Sequence, residues 1–265
     1  MRAVNAGRVT GPRIYPAGHY LSITGGHCDV TGFAPRIMEL GPNQGIANGV
    51  DEILRAVRYQ AKHGVKVFKV CATSGVFSAG AQPGAQQYSD AKLRTIVAEA
   101  ARHDLKVMAH AHGSEGIMAA VKASVASIEH GSMLTPEIIR EMKKRDTYYV
   151  PTIYLADIPL PENTPQDTID KSNYLEPYVE ESFRMAVDAG INIALGTDSG
   201  VLRHYETGKE FYAMVRRGMA PLCWAELKTG QLADIIAVEG NPLDDIRVME
   251  SVVFVMKDGE IIKTD

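Results

Sequence analysis

Hydrophobic positions along this chain switch between two periods. Short apolar runs, VKVFKVCAT (65–73), LKVMAHAHG (105–113), VASIEHG (125–131), YYVPTIY (148–154) and INIALGTDSG (191–200), read as strands. Between them lie amphipathic stretches. Ile53, Leu54, Val57 and Ala61 fall at helical spacing across 50–64, and Gly64 closes the helix. Ser89 caps DAKLRTIVAEAARHD, and Thr135–Pro136 opens EIIREMKKR. SEGIMAAVKAS and EPYVEESFRMAVDAG are further helices, and PRIYPAG reads as a first strand, giving six. Apolar strands alternating with helices predict an α/β fold with a parallel sheet covered on both faces. A complete eight-stranded barrel needs two more strands, expected to be missing at the front.

The pattern changes after Gly230. GQLADIIAVEGNPLDDIRVMESVVFVMKDGEIIKTD alternates short β-branched strands with turns, and KDGEII reads as a hairpin tip. We therefore expect a barrel domain over 1–229 and part of a small β-sandwich over 230–265. The opening RAVNAG reads as the tail of a helix, so the sequence is expected to begin inside a larger protein. MVRRGMAPLCWAELKTG starts as a helix and ends abruptly. SGVFSAGAQPGAQQYS is too long for a mere connection and is expected to be functional.

Composition narrows the classes. With 265 residues and 45% hydrophobic content, the chain can bury one barrel-sized core. The 28 basic and 32 acidic residues are scattered, so neither a nucleic-acid nor a membrane partner is expected. Three widely spaced cysteines, Cys28, Cys71 and Cys223, make no disulfide framework and are expected to be small buried hydrophobes.

The chemistry lies at the strand ends. Lys69, His110, His130 and Asp198 each close a different apolar run. In a parallel barrel, side chains at those ends converge on one site. A single His there is more often structural, and Asp198 in GTDSG suits a turn. Lys69 is harder to explain away, because an amine in an apolar strand is costly unless paired, neutralised or modified. Together the four predict a metal centre.

The motifs VKVFKVCATSGVFSAGAQPGAQQYS, VMAHAHGSEGI, SIEHGSML, VPTIY, ALGTDSG and GQLADIIAVEGNPLDDI, in that order, resemble the metal-dependent amidohydrolase superfamily. The similarity is to its branch of imidazolonepropionase-like enzymes, Xaa-Pro and Xaa-Arg dipeptidases and ochratoxin-hydrolysing amidases. The resemblance implies a (β/α)₈ TIM barrel with a small β-sandwich and two zinc ions bridged by a carboxylated lysine. It assigns Lys69, His110, His130 and Asp198 as metal ligands. Asp198 is also the proton shuttle, and His112 and Tyr154 are candidates for contacting the substrate carbonyl. Tyr88 is a candidate for holding a substrate carboxylate, with a loop anchor as the equal alternative. The family's His-x-His pair of the first strand has no counterpart ahead of Lys69. The expected function is metal-dependent hydrolysis of an amide or peptide bond in a dipeptide or N-acyl amino acid by metal-activated hydroxide. The alternatives are a cyclic-amide hydrolase or deaminase of the same superfamily, and an inactive fragment binding at most one metal. Open sheet edges predict self-association into a homo-oligomer.

Overall fold

The apolar runs that end on Lys69, His110 and His130 form strands, and the amphipathic stretches between them return the chain to the sheet's starting edge. The computed structural model describes residues 1–221 and 228–264. The expectations for Cys223, and for most of the stretch between Met219 and Gly230, fall outside the described residues. A short helix α1 (Arg2–Asn5) opens the chain, followed by an irregular segment and α2 (Val50–Lys62). Then come β1 (Phe68–Cys71), α3 (Asp90–Ala101), β2 (Val107–Ala111), α4 (Ser114–Lys122), β3 (Ser127–His130), α5 (Pro136–Arg145) and β4 (Tyr148–Val150). Helices α6 (Gln166–Ala189) and α7 (Lys209–Val215) precede β5 (Ile235–Val238), β6 (Val252–Lys257) and β7 (Glu260–Thr264).

Strands β1 to β4 form a parallel sheet in sequential order. Leu21 extends it beyond β1, its N–H donating to Lys69 O at 2.8 Å and its carbonyl accepting from Cys71 N–H at 2.9 Å. Beyond β4, Tyr149 exchanges bonds with Asn192 and Ala194. Of the six expected strands, four form as β1 to β4, INIALGTDSG contributes only a single-residue bridge at Ile193, and the bridge on the other side falls at Leu21, outside any expected strand. PRIYPAG is not a strand; the first bridge falls at Leu21, after it. Prolines 12 and 16 lack the N–H that a ladder needs. The loop expected over PLPENTPQDT is shortened, because α6 begins at Gln166.

The two-residue period sorts the strands. Phe68, Val70, Val107, Ala109, Ala111, Ile128 and Tyr149 face the helices. They are buried against Ile53 and Val57 of α2, Ile96 of α3, Ile117 of α4, Met142 of α5 and Phe183 of α6. Lys69, Cys71, Met108 and His110 take the opposite face. Thr135 caps α5 as the sequence predicts, its hydroxyl accepting from Ile138 N–H, with Pro136 at the first turn. Ser89 precedes α3, but its side chain makes no capping bond.

Strands β5, β6 and β7 form an antiparallel sheet, with the expected hairpin at Asp258–Gly259. Both turn residues have positive φ (52° and 83°), which matches the twist of a two-residue hairpin. Arg13 joins this sheet to the N-terminal segment through Asp234 at 3.2 Å and through Asp258.

The cysteine expectation is corrected by the structure. Cys28 and Cys71 form a disulfide, with Cα atoms 6.5 Å apart. A separation of 43 residues hid this pairing in the sequence, and only the sheet contact between Leu21 and β1 brings the two together.

Candidate metal centre and active site

Four imidazoles gather at the carboxyl edge of the parallel sheet. Strand β2 delivers His110, and His112 follows just beyond its end. Regular alternation would send His130 outward with Ile128. It takes a left-handed conformation instead (φ 68°) and turns inward. His27 arrives from the loop after Ser22. Its ring stacks on that of His110 at 4.0 Å between centroids. His112 and His130 lie edge-on to His110 at 4.7 and 4.8 Å, and stack on each other at 5.0 Å. Candidate ligand atoms of His110, His112 and His130 all lie within 4.8 Å of one another.

Surrounding hydroxyls orient the rings. Thr152 Oγ1 donates its one proton to Pro151 O at 2.7 Å, so it accepts from His130 Nδ1–H at 2.8 Å. That leaves the lone pair of His130 on Nε2. His112 Nδ1 meets Ser132 Oγ at 2.8 Å, and His27 Nδ1 meets Ser78 Oγ at 2.8 Å. His110 Nε2 is buried with no hydrogen-bond partner. Such an orphan costs about 1–3 kcal/mol unless something satisfies it. Gly75 makes room beside it: a Cβ there would lie 2.9 Å from His110 Nε2 and 2.7 Å from His27 Cε1.

Burial keeps these rings neutral. It brings His112 down to about 3 and His27 to about 4, helped by the positive charge of Lys69. His110 and His130 are held well below the ordinary histidine value, again by burial first and by neighbouring cationic groups second. Burial also lowers Lys69, partly offset by the carboxylates of Glu129 and Asp198. Among the described residues no hydrogen bond or ion pair reaches the Lys69 amine. Glu129, which accepts from Ser127 Oγ at 2.5 Å, is raised by burial. Neutral imidazoles with free lone pairs are the form that binds metal, and the donor set fits a cation such as zinc. Ser132 and Thr152 are the outer partners that fix ligand rings in metal sites.

The structure brings together Lys69, His110, His112 and His130. Asp198 is exposed on the turn after Ile193, with φ 52°, within electrostatic reach of Lys69 and Glu129. Tyr154 stands in the 3-10 turn Ile153–Asp157, beside the Lys209 ammonium at 5.6 Å from its ring. Tyr88 is fully buried, its hydroxyl donating to Ala47 O at 2.9 Å. His27 and Glu129 were not singled out from the sequence. Glu129 sits in the short apolar run ASIEH and His27 follows Gly25–Gly26 after LSIT, and neither position carries a distinctive signal.

A parallel sheet in an α/β fold that collects imidazoles, a lysine and carboxylates at its carboxyl edge is a candidate metal centre. The chain belongs to the amidohydrolase family, whose model matches residues 1–222. It is 35% identical to ochratoxinase of Aspergillus niger over 300 aligned positions, covering 99% of this chain and 62% of that relative. The crystal structure of a Xaa-Pro dipeptidase with methionine bound in its active site matches with a TM-score of 0.92 at 36% identity. That match covers 99% of this chain and 71% of the other. A prolidase complexed with N-methylphosphonate-L-proline matches with a TM-score of 0.80 at 29% identity, over 100% and 72% of the two chains. The chain thus spans less than two thirds of the curated relative's length. The α/β fold, parallel sheet and small antiparallel sheet are those of amidohydrolase structures over about 70% of their chains.

Proposed function

We propose that this chain is the metal-site portion of a hydrolase that cleaves the amide bond of a dipeptide or an N-acyl amino acid. The observation that carries this reading is the convergence of three neutral imidazoles, one with an orphaned buried nitrogen, beside the Lys69 amine, which no hydrogen bond or ion pair reaches among the described residues. The named activities of the relatives, an ochratoxinase and Xaa-Pro dipeptidases, supply the substrate class. In this reading the fold is a (β/α)₈ barrel, to which the chain contributes β1 to β4 and the bridged edges at Leu21 and Ile193.

His110 and His130 would hold zinc, together with Lys69 in its carboxylated form and Asp198, with two zinc ions proposed for the whole protein. Lys69 suits that modification, because burial lowers its pKa and so favours the neutral amine, the nucleophile that carbon dioxide takes up. A divalent cation bound there supplies Lewis acidity, polarising the amide carbonyl and making water nucleophilic near neutral pH. Asp198, exposed at the site's mouth, takes the proton from the attacking water and delivers it to the leaving nitrogen. His112, oriented by Ser132, donates to the developing oxyanion, and Tyr154 is the second candidate donor. Asp198→Asn keeps size and one oxygen but cannot accept the proton. It is expected to lower kcat by about 10²–10⁴-fold on dipeptide and N-acyl amino-acid substrates while zinc remains bound. Unchanged turnover in that variant would remove Asp198 from the proton path.

A further inference from the structure

The disulfide is placed where it acts on the site. Cys28 directly follows His27, and Cys71 lies two residues beyond Lys69 on the same face of β1. Downstream of Cys28 the chain is exposed from residue 30 to residue 39, so little packing restrains it there. Without the covalent bond His27 keeps two single hydrogen bonds, Nδ1 to Ser78 Oγ at 2.8 Å and its backbone N–H to Gln87 Oε1 at 3.1 Å. Each is a marginal tie on its own. Local bonds, Gly25 N–H to Asp29 Oδ2 at 2.7 Å and Cys28 N–H to Ser22 Oγ at 3.4 Å, shape the loop, but the covalent tie that joins it to β1, beside the stack of His27 on His110 at 4.0 Å, is the bond between the two sulfurs.

We propose that Cys28–Cys71 is a redox-set positioning bond: oxidised, it holds His27 against His110, and reduced, it frees the loop that carries His27. Cys28 is half-buried, whereas Cys71 is fully buried, so the incoming thiolate attacks the Cys28 sulfur. The S–S bond breaks and Cys71 leaves as a thiolate, which takes up a proton. A second low-molecular-weight thiol then attacks the mixed disulfide and releases Cys28. The net change is one cystine and two small thiols going to two cysteine thiols and one small disulfide. A small disulfide oxidant reverses it. This latch goes beyond the hydrolase reading, and its test does not depend on turnover.

Thiol counting, disulfide peptide mapping and diethylpyrocarbonate labelling of His27, read by peptide mass, test it on the full chain. Oxidised protein is expected to show one free thiol, Cys223, and a linked Cys28–Cys71 peptide. Reduction with a phosphine, removed before labelling, is expected to speed His27 labelling about tenfold, as local opening does. Cys28→Ser is expected to label at the reduced rate and to ignore the phosphine. Should that variant fold poorly, reduced wild type with an unchanged thermal transition answers the same question. No linked peptide after oxidation, or equal His27 labelling in both states, overturns the proposal. Loss of amide hydrolysis with the labelling difference intact would count against the hydrolase reading and leave the latch standing.

Discussion

Gly75 shows how little room the site leaves at the level of one atom. Gly75→Ala places a methyl against His110 Nε2 and the His27 ring, so zinc affinity measured by competition with a chelator is expected to fall about 10-fold or more. Unchanged affinity would show that His110 Nε2 is not a ligand atom. Charge gives a second prediction. A folded-state pKa of about 4 for His27 lies below its ordinary value, so the unfolded chain binds a proton that the folded chain refuses. Its contribution is fully present above about pH 6.5 and is lost as pH falls towards 4, a change of about 3 kcal/mol. Acid denaturation of the metal-free protein is therefore expected to be shallower in His27→Gln, and identical slopes would contradict this. Lys69 was legible because an amine in an apolar run has no cheap explanation. His27 was not, because a His after two glycines in a short run resembles any loop residue.

At the scale of elements, α7 grips the segment behind His130. Glu210 is fully buried, and its carboxylate accepts Ile153 N–H at 2.7 Å and Tyr154 N–H at 2.9 Å. Thr152, just ahead, is left-handed (φ 49°) and holds His130. Glu210→Ala leaves two buried N–H groups unmet and is expected to destabilise the fold by about 2–4 kcal/mol in urea unfolding. Burial also pushes the Glu210 carboxyl up to about 7. Between about 4.5 and 7 the folded chain holds a proton that the unfolded chain has lost, so stability falls as pH rises through that window. Glu210→Gln is expected to remove this part of the slope, which has the opposite sign to that of His27. The strand ends and helix starts were readable from period and from caps such as Thr135–Pro136. This clamp was not, because 57 residues separate Glu210 from Ile153 and nothing local marks either as its partner.

On the scale of the whole molecule, a parallel sheet carries the site, and Arg13 ties a small antiparallel sheet to the N-terminal segment at the surface. The βα alternation and the KDG hairpin made both legible, and the family resemblance rested on ordered motifs across nearly the whole chain. What stayed hidden depends on contacts made far apart in sequence. Such cases are the Cys28–Cys71 pairing, the Arg13 link to Asp234 and Asp258, and the weak edges at Leu21 and Ile193. The edge at Ile193, whose outer side pairs with no strand among the described residues, predicts self-association, which sedimentation over a range of concentrations would register as a rising mass, and a constant monomer would contradict. The central claim concerns the imidazole cluster, and X-ray absorption at the zinc edge tests it most directly. Zinc-loaded protein is expected to show a nitrogen and oxygen shell with the outer scattering of at least two imidazoles, reduced by one in His110→Ala. A shell without imidazole scattering, or an identical one in that variant, would contradict the account.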